Sequence, residues 1–203
     1  MQIDLFDVLY DDFKFTQPLR TITLFSGIGF QEMGMDLAEI PYEMIGTSEI
    51  DKFAILSYAA IHTDYLKIRN VYNFPSKEVM LKHLQDRNIG VHLKTHNHTI
   101  HDSTNIEIIK DYYLASILNK NLGDISKVKG VDIPKNVDLL TYSFPCTDLS
   151  KAGRQDGLSC GTRSGLVYEV LRILYELKEQ DNLPKVLIME NVIDLIQVKF
   201  VDE

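Results

Sequence analysis

The chain has 203 residues, 45% of them hydrophobic, and a formal net charge of −8. This length and composition are typical of one water-soluble globular domain with a sizeable core. The acidic balance argues against a globally basic nucleic-acid-binding protein, although it leaves room for a local basic patch. Because the sequence has no apolar run of membrane-spanning length and no basic, apolar leader at its N-terminus, we expect a cytoplasmic protein.

The first segments predict a nucleotide-binding unit. Residues 1–18 are acidic and aromatic and should form an N-terminal arm. Leu19–Phe25 is rich in β-formers and predicts a first strand, which a glycine turn (Ser26–Gly29) and a helical pattern follow. Glycines allow a backbone to approach a ligand closely, although a purely structural turn stays an equal alternative. The missing third glycine speaks against an NAD-type dehydrogenase.

An acidic residue directly follows the second predicted strand, at a characteristic distance from the glycine turn. Tyr42–Ser48 predicts that strand, and Lys52–His62 predicts the helix after it. Glu49 lies 20 residues after Gly29, which is the spacing at which a carboxylate accepts the ribose hydroxyls of a nucleotide. The alternative role, capping of the next helix, is stronger for Asp51 than for Glu49.

Residues 63–121 have a less regular pattern, and we expect an inserted lobe outside the sheet. Val79–Leu84 and Ile106–Leu118 are its helical segments. Four histidines fall within ten residues between these segments: His92, His96, His98 and His101. Their spacing fits no compact zinc finger, so a polar surface excursion is favoured over a metal site, and we predict that no metal is bound.

A cysteine follows the most apolar strand of the second half. Val137–Leu140 predicts a buried parallel strand, and Pro145 and Cys146 come soon after it. Open α/β sheets place ligands at such carboxyl strand ends, and the polar run 151–157 carries cations that favour a thiolate nucleophile. The alternative is a small buried residue. A disulfide with Cys160 is disfavoured in a reducing compartment.

The last predicted strand also ends in polar residues. An amphipathic helix is expected over Leu166–Leu177, and the apolar run Pro184–Met189 predicts a further buried strand. Glu190 follows this strand directly, where apolar surroundings could raise its pKa and allow it to act as an acid. A carboxylate that is hydrogen-bonded to backbone is the alternative.

Taken in order, these segments resemble the DNA (cytosine-5) methyltransferase family over most of residues 19–192. The matching segments are Phe25–Gly29, Ser48–Asp51, Gly123–Ile125, Phe144–Cys146, the helix around Leu166–Leu174, and Glu190–Val192. The combination of Pro145-Cys146 with Glu190-Asn191-Val192 is the specific part of the match. The resemblance implies an α/β, Rossmann-like S-adenosylmethionine-dependent methyltransferase fold with a mainly parallel sheet in the strand order 3-2-1-4-5. Residues 19–203 would be an incomplete catalytic domain, truncated after the fifth strand.

The resemblance also implies a role for each site residue in methyl transfer to C5 of cytosine in DNA. Cys146 would add to C6 of the cytosine, Glu190 would hold or protonate N3, and Asn191 would position Glu190. The residues implied to bind S-adenosylmethionine are Phe25, Ser26, Gly27, Gly29, Glu49, Ile50, Asp124, Ile125 and Pro145. A loop would close over a flipped-out base and meet phosphates through Ser150, Lys151, Arg154 and Arg163.

The chain departs from the family at two single positions and at the end of the match. Thr147 stands where the family usually has Gln, and Leu149 stands where it often has Phe. After Val192 the family continues with an arginine-bearing strand, a target-recognition domain and a closing helix. We therefore expect an exposed sheet edge at Val186–Met189, association with a complementary subunit or a second copy, and little or no methyl transfer by the chain alone. The alternatives are an incompetent fragment that associates with a partner, and an RNA cytosine methyltransferase.

Overall fold

The structure, a computed structural model, describes residues 15–92, 95, 97–145, 164–193 and 195. The elements in chain order are β1 (Leu19–Leu24), α1 (Phe30–Leu37), β2 (Tyr42–Ser48), α2 (Lys52–His62), α3 (Tyr65–Ile68), α4 (Lys77–Asp86), α5 (Ile106–Leu118), β3 (Leu139–Tyr142), α6 (Val167–Glu179) and β4 (Val186–Met189). Short 3-10 turns cover Gly130–Asp132 and Ser164–Leu166. Among the described helices, none is long and apolar enough to cross a membrane.

The four strands form one parallel sheet in the order β2-β1-β3-β4. Asn121 makes an isolated parallel bridge to Thr47 on the outer side of β2. This is the place of the third strand in the predicted order 3-2-1-4-5. The Rossmann-like α/β fold and the order of the other four strands are therefore confirmed, while the third strand is reduced to a single bridge.

One hydrophobic core lies between the sheet and α6. The inner strands contribute fully buried Ile22, Leu24 and Leu140, and α6 contributes Val170 and Ile173. Burial of an aliphatic side chain of this size stabilises a fold by about 1.5–3 kcal/mol. This core therefore fixes the inner strands and, with them, the direction in which their carboxyl ends point.

A second core joins α2 to the helices of residues 63–121. Ile55 of α2 packs in one cluster with Met80 and Leu84 of α4 and with Ile109 and Leu114 of α5. The helices of this region therefore form a layer on α2, and Asn121 is where the region returns to the sheet. The assignment of residues 63–121 as an insertion in the family fold stays a prediction.

The structure differs from the sequence patterns at three elements. The apolar run Pro184–Met189 predicts a buried strand, but all four residues of β4 are exposed, because β4 pairs only with β3 among the described residues.

The other two differences concern β3 and α1. β3 begins at Leu139, two residues later than predicted, because Val137 packs in the core before the ladder to β1 begins. In α1, Phe30 and Leu37 of the apolar pattern are exposed, whereas Glu32 is fully buried. The buried Glu32 is hydrogen-bonded, because its Oε1 accepts from the hydroxyl of Thr23, near the carboxyl end of β1, at 2.7 Å.

Candidate active site

Four polar segments meet at one edge of the sheet because all four strands are parallel. The glycine turn follows β1, Glu49 follows β2, Pro145 follows β3 by three residues, and Glu190 follows β4 directly. The carboxyl edge of an open α/β sheet is where such folds bind ligands. The sequence-predicted site segments are therefore brought together wherever the structure describes them.

The glycine turn contains one packed and one open position. Phe25, Gly27 and Gly29 all have positive φ angles, 57°, 53° and 89° respectively. A Cβ at Gly29 would lie 2.2 Å from His62 Nε2, whereas a Cβ at Gly27 would meet no atom within 4 Å. His62 Nε2 also lies 3.1 Å from the Ile28 carbonyl oxygen. Gly29 is thus required for packing against α2, and Gly27 leaves space for a ligand.

Glu49 ties the end of β2 to the glycine turn. Its Oε2 accepts a hydrogen bond from the Gly27 N–H at 3.0 Å, and its Oε1 accepts from the N–H groups of Ile50 and Asp51. Burial raises the pKa of the Glu49 carboxyl, and this effect outweighs the three N–H donors that lower it. Asp51 has the capping role, because its side chain accepts from two N–H groups of the first turn of α2.

Asn121 is a site residue that the sequence reading missed. Its side chain accepts from the Glu49 N–H at 3.1 Å and the Gly123 N–H at 3.0 Å, and it donates to the Glu49 carbonyl. The Ser48 hydroxyl donates to the Gly123 carbonyl at 2.7 Å beside it. Asn121 thus holds the segments of Glu49 and Asp124 together. Its only signal in the sequence is its position two residues before Gly123-Asp124.

Asp124 is partly buried, and protein donors hold both of its carboxylate oxygens. Asn88 Nδ2 donates to Oδ2 at 2.7 Å, while the Ser126 N–H and hydroxyl donate to Oδ1. The neighbouring Ile125 is buried in the α6 core, and Arg172 of α6 donates to its carbonyl. Ile50 is partly buried, and its carbonyl accepts from the Gly90 N–H at 2.8 Å.

The segments before Cys146 and after β4 are joined by hydrogen bonds. The Glu190 N–H donates to the Tyr142 carbonyl at 3.0 Å, and Asn191 Nδ2 donates to the Phe144 carbonyl at 2.9 Å. Pro145 is the last described residue before the gap at residues 146–163. Five predicted site residues lie outside the described part of the chain: Cys146, Ser150, Lys151, Arg154 and Arg163.

A second missed residue connects the glycine turn to the segment that leads to Cys146. Gln31 Nε2, in the first turn of α1, donates to Ser143 Oγ at 2.9 Å. Ser143 Oγ in turn lies 3.5 Å from the Phe25 carbonyl and donates to it. The segments that follow β1 and β3 are therefore joined by two side chains, Gln31 and Ser143, that are not part of the family motifs.

The described part of the histidine-rich segment contains a short antiparallel bridge. Val91 bridges His98, and the His92 N–H donates to the Asn97 carbonyl at 2.9 Å. Within the described residues, which omit His96, no group of three or more potential metal ligands is gathered.

Comparisons with known proteins agree on one class. A family model described as C-5 cytosine-specific DNA methylase matches residues 87–201. The Type II methyltransferase M2.ScrFI of Lactococcus lactis subsp. cremoris is 40% identical over 180 residues, which cover 88% of this chain and 48% of that protein. The orphan methyltransferase M.SssI of Spiroplasma monobiae is 35% identical over 194 residues, which cover 93% of this chain and 50% of that protein.

Among solved structures, the S. pombe Dnmt2 methyltransferase aligns with 89% of this chain and 38% of its own, at a TM-score of 0.48 and 20% identity. The chain spans about half the length of the two curated relatives.

Proposed function

Because the chain belongs to the C-5 cytosine-specific DNA methylase family, we propose that it carries the cofactor-binding and thiol-bearing part of a DNA methyltransferase. The reaction is transfer of a methyl group from S-adenosylmethionine to C5 of cytosine in DNA. Cytosine C5 is a poor nucleophile, so the site has to activate the base and present a methyl donor at the same edge of the sheet.

The observation that carries this proposal is the hydrogen bond from Asn191 to the Phe144 carbonyl. It joins the strand end that bears Glu190 to the segment that leads, after Pro145, to Cys146. These residues are more than forty positions apart in the sequence, and they converge because β3 and β4 are parallel neighbours. A carboxyl and a thiol on adjacent strand ends could address N3 and C6 of one pyrimidine ring.

The described residues fit S-adenosylmethionine. An added Cβ at Gly27 would meet no atom within 4 Å, so the glycine turn leaves room for a ligand against its backbone. Glu49 would supply a carboxylate acceptor for the ribose hydroxyls, and Asp124 would supply one for the adenine amino group. Both ligand groups are hydrogen-bond donors. When bound, S-adenosylmethionine would supply an electrophilic methyl group. Residues Phe25–Gly29, Glu49, Ile50, Asp124, Ile125 and Pro145 are proposed to hold it.

The chain's own residues would activate the cytosine. The Cys146 thiolate attacks C6 and forms an S–C6 bond, while Glu190 holds or protonates N3 and so neutralises the charge that develops there. The electron pair displaced from the C5–C6 double bond makes C5 nucleophilic. After methylation, C5 loses its proton and the S–C6 bond breaks, which restores the aromatic ring. Asn191 keeps Glu190 beside the thiol segment.

A stacked base cannot expose C6, so the cytosine has to leave the duplex. We assign Ser150, Lys151, Arg154 and Arg163 to phosphate contacts in the loop that would close over it. These positions lie outside the described residues.

The proposal is tested by methyl transfer to duplex DNA with labelled S-adenosylmethionine. The two cysteines of the chain provide a matched pair of variants. Cys146→Ala should abolish transfer, and Cys160→Ala should leave it intact. The assay is run on the complemented enzyme described below, and measurable transfer by Cys146→Ala equal to that of Cys160→Ala would refute the thiol mechanism. Transfer to single-stranded RNA of the same sequence, in preference to DNA, would replace DNA by RNA as the substrate.

We further propose that β4 pairs with a strand from a complementing polypeptide equivalent to the half of the relatives that this chain does not match. β4 is apolar, and within the described residues it pairs with β3 alone. Its four residues remain 45–51% exposed, an apolar edge that offers unpaired backbone groups to another chain.

Co-expression with the unmatched half of the Lactococcus lactis relative tests this partner. Transfer should be weak for the chain alone and should rise on co-expression, and Ile188→Lys should prevent both the complex and the rise. Sedimentation of the chain alone as a dimer that Ile188→Lys dissociates would assign the edge to a second copy instead. Full activity of the monomeric chain would overturn the partner proposal.

A further inference from the structure

In the loop after α4, the side-chain amide of Asn88 contacts the carboxylate of Asp124. Asn88 has a left-handed φ of 55°, and its Nδ2 donates to Asp124 Oδ2 at 2.7 Å. Its Oδ1 accepts from Lys127 Nζ, also at 2.7 Å. A lysine ammonium can only donate hydrogen bonds, so the contact with Lys127 fixes which end of the amide faces Asp124.

The other oxygen of Asp124 is held by its own loop. Oδ1 accepts from the Ser126 N–H at 2.9 Å and from the Ser126 hydroxyl at 2.7 Å. A carboxylate offers about four acceptor positions, and three are occupied by these donors and Asn88. The remaining position lies on Oδ2, the oxygen that Asn88 holds. Asn88 therefore determines where the free acceptor position of this carboxylate points.

The backbone around this contact is closely packed. The Asp124 N–H donates to the Arg87 carbonyl at 2.9 Å. A Cβ at Gly123 would lie 2.3 Å from the same carbonyl oxygen, so the two segments meet without room for a side chain. These backbone contacts fix the relative position of the two segments, and within that arrangement the hydrogen bond from Asn88 orients the carboxylate of Asp124.

We propose that Asn88 is a positioning residue that sets adenine specificity: it aims the free acceptor position of Asp124 at the exocyclic amino group of the cofactor's adenine. This inference rests on the proposed function, because it takes the ligand to be an S-adenosyl compound. The amino group of adenine donates a hydrogen bond, whereas hypoxanthine carries a carbonyl acceptor at the same ring position. An oriented carboxylate favours the first and repels the second.

The test is calorimetric binding of S-adenosylhomocysteine and of S-inosylhomocysteine to the full chain and to Asn88→Gly. Glycine tolerates the left-handed backbone at this position, so the variant removes the amide alone. Wild type should prefer the adenosyl ligand, and Asn88→Gly should reduce that preference by about tenfold, the loss expected when one hydrogen bond to a charged group no longer orients it. Affinity for the inosyl ligand should change little.

Two further variants separate orientation from stability. Asn136→Gly makes the same change at another left-handed asparagine, at φ 60° before β3, and should leave both affinities unchanged. Lys127→Met removes the contact that fixes the amide and should shift the preference in the same direction as Asn88→Gly, by a smaller factor.

The outcomes distinguish the inference from the proposed function. If wild type binds neither ligand, the proposed function fails and the inference fails with it. If wild type binds S-adenosylhomocysteine and Asn88→Gly keeps the same preference, or weakens both ligands equally, the inference alone is wrong. Wild type that binds both ligands equally well would also overturn it.

Discussion

The two outer strands of the sheet, β2 and β4, have opposite environments. The last four residues of β2 are buried, and its outer side receives the bridge from Asn121. All four residues of β4 are exposed, and its described backbone pairs on one side alone. The strand beside the predicted cofactor site is therefore paired on its outer side by another segment of the chain, while the strand beside the predicted catalytic carboxyl pairs on one side alone within the described residues.

This difference predicts that the two tasks of the proposed enzyme, cofactor binding and methyl transfer, depend on different parts of the sheet. The side chains around Glu49 and Asp124 are fixed by residues that this chain supplies, so the chain alone should bind S-adenosylhomocysteine. The end of β4 that bears Glu190 lacks a comparable cover among the described residues. Methyl transfer should therefore depend on the complementing polypeptide far more strongly than cofactor binding does.

The largest expected effect concerns the packed position of the glycine turn. Gly29→Ala should destabilise the fold by about 3 kcal/mol, because left-handed strain adds to the overlap with His62. Gly27→Ala faces open space and should cost only the strain, about 1–2 kcal/mol. Urea denaturation measures both values.

The double variant Gly29→Ala/His62→Ala is the control for this pair. It should regain part of the stability lost in Gly29→Ala, because the side chain that meets the new Cβ is gone. No recovery would show that backbone strain alone accounts for the cost.

Truncation of one isoleucine in each outer strand tests the comparison directly. Ile45 of β2 is 8% exposed and packs in the α6 core, so Ile45→Ala should cost about 2–3 kcal/mol. Ile188 of β4 is 50% exposed, and Ile188→Ala should cost less than about 1 kcal/mol. Equal losses in urea denaturation would mean that β4 is covered in solution.

Cofactor binding should depend on pH through Glu49. Burial raises the pKa of its carboxyl above the ordinary glutamate value. As the pH falls through this raised pKa, the carboxylate gains a proton and loses an acceptor for ribose. The affinity for S-adenosylhomocysteine should therefore fall by about tenfold per pH unit below it and stay constant above it.

The free energy of unfolding should depend on the protonation of Glu49 in the opposite direction to the ligand affinity. It should fall as the pH rises, whereas the affinity should increase, so the two effects can be measured separately. A carboxyl whose folded-state pKa is raised favours the folded state at low pH, and this contribution is lost as the pH rises through the folded pKa. Glu49→Gln should bind more weakly than wild type with a flat pH profile in calorimetry. A pH profile that Glu49→Gln leaves unchanged would assign the titration to another group.

The smallest expected effect concerns the amino end of β4. Lys185 Nζ lies 2.7 Å from Asp138 Oδ1, and Asp138 Oδ2 also accepts from the Arg20 N–H of β1. Lys185 is largely exposed, so Lys185→Met should cost only about 0.5 kcal/mol. A larger loss would show that β4 is held to the sheet mainly at this end.

Acid denaturation checks the same contact. The hydrogen bond from Lys185, followed by that from Arg20, lowers the pKa of Asp138. Its stabilising contribution is present above the unfolded-state pKa and is lost as the pH falls through the lowered folded-state pKa. Lys185→Met should reduce this dependence on acidic pH.

The sequence alone determined the regular elements and the segments of the site. The bounds of β2, α2 and α5 agree with the sequence patterns, because a run of apolar residues at strand or helix spacing is a local signal. Glu49, Asp124 and Glu190 could be predicted as site residues because each follows an apolar run or a glycine.

The tertiary structure alone decided which side chains hold these segments together. Asn121, Asn88 and Gln31 act across distances of 36 to 112 residues in the chain, and a polar residue in a loop gives no periodic signal of its partner. The burial of Glu32 was equally invisible, since burial depends on what packs against a residue. The exposed edge at β4, by contrast, is expected from the resemblance to the family. A local pattern specifies a strand, and only the assembled sheet specifies which side chains hold its ends in place.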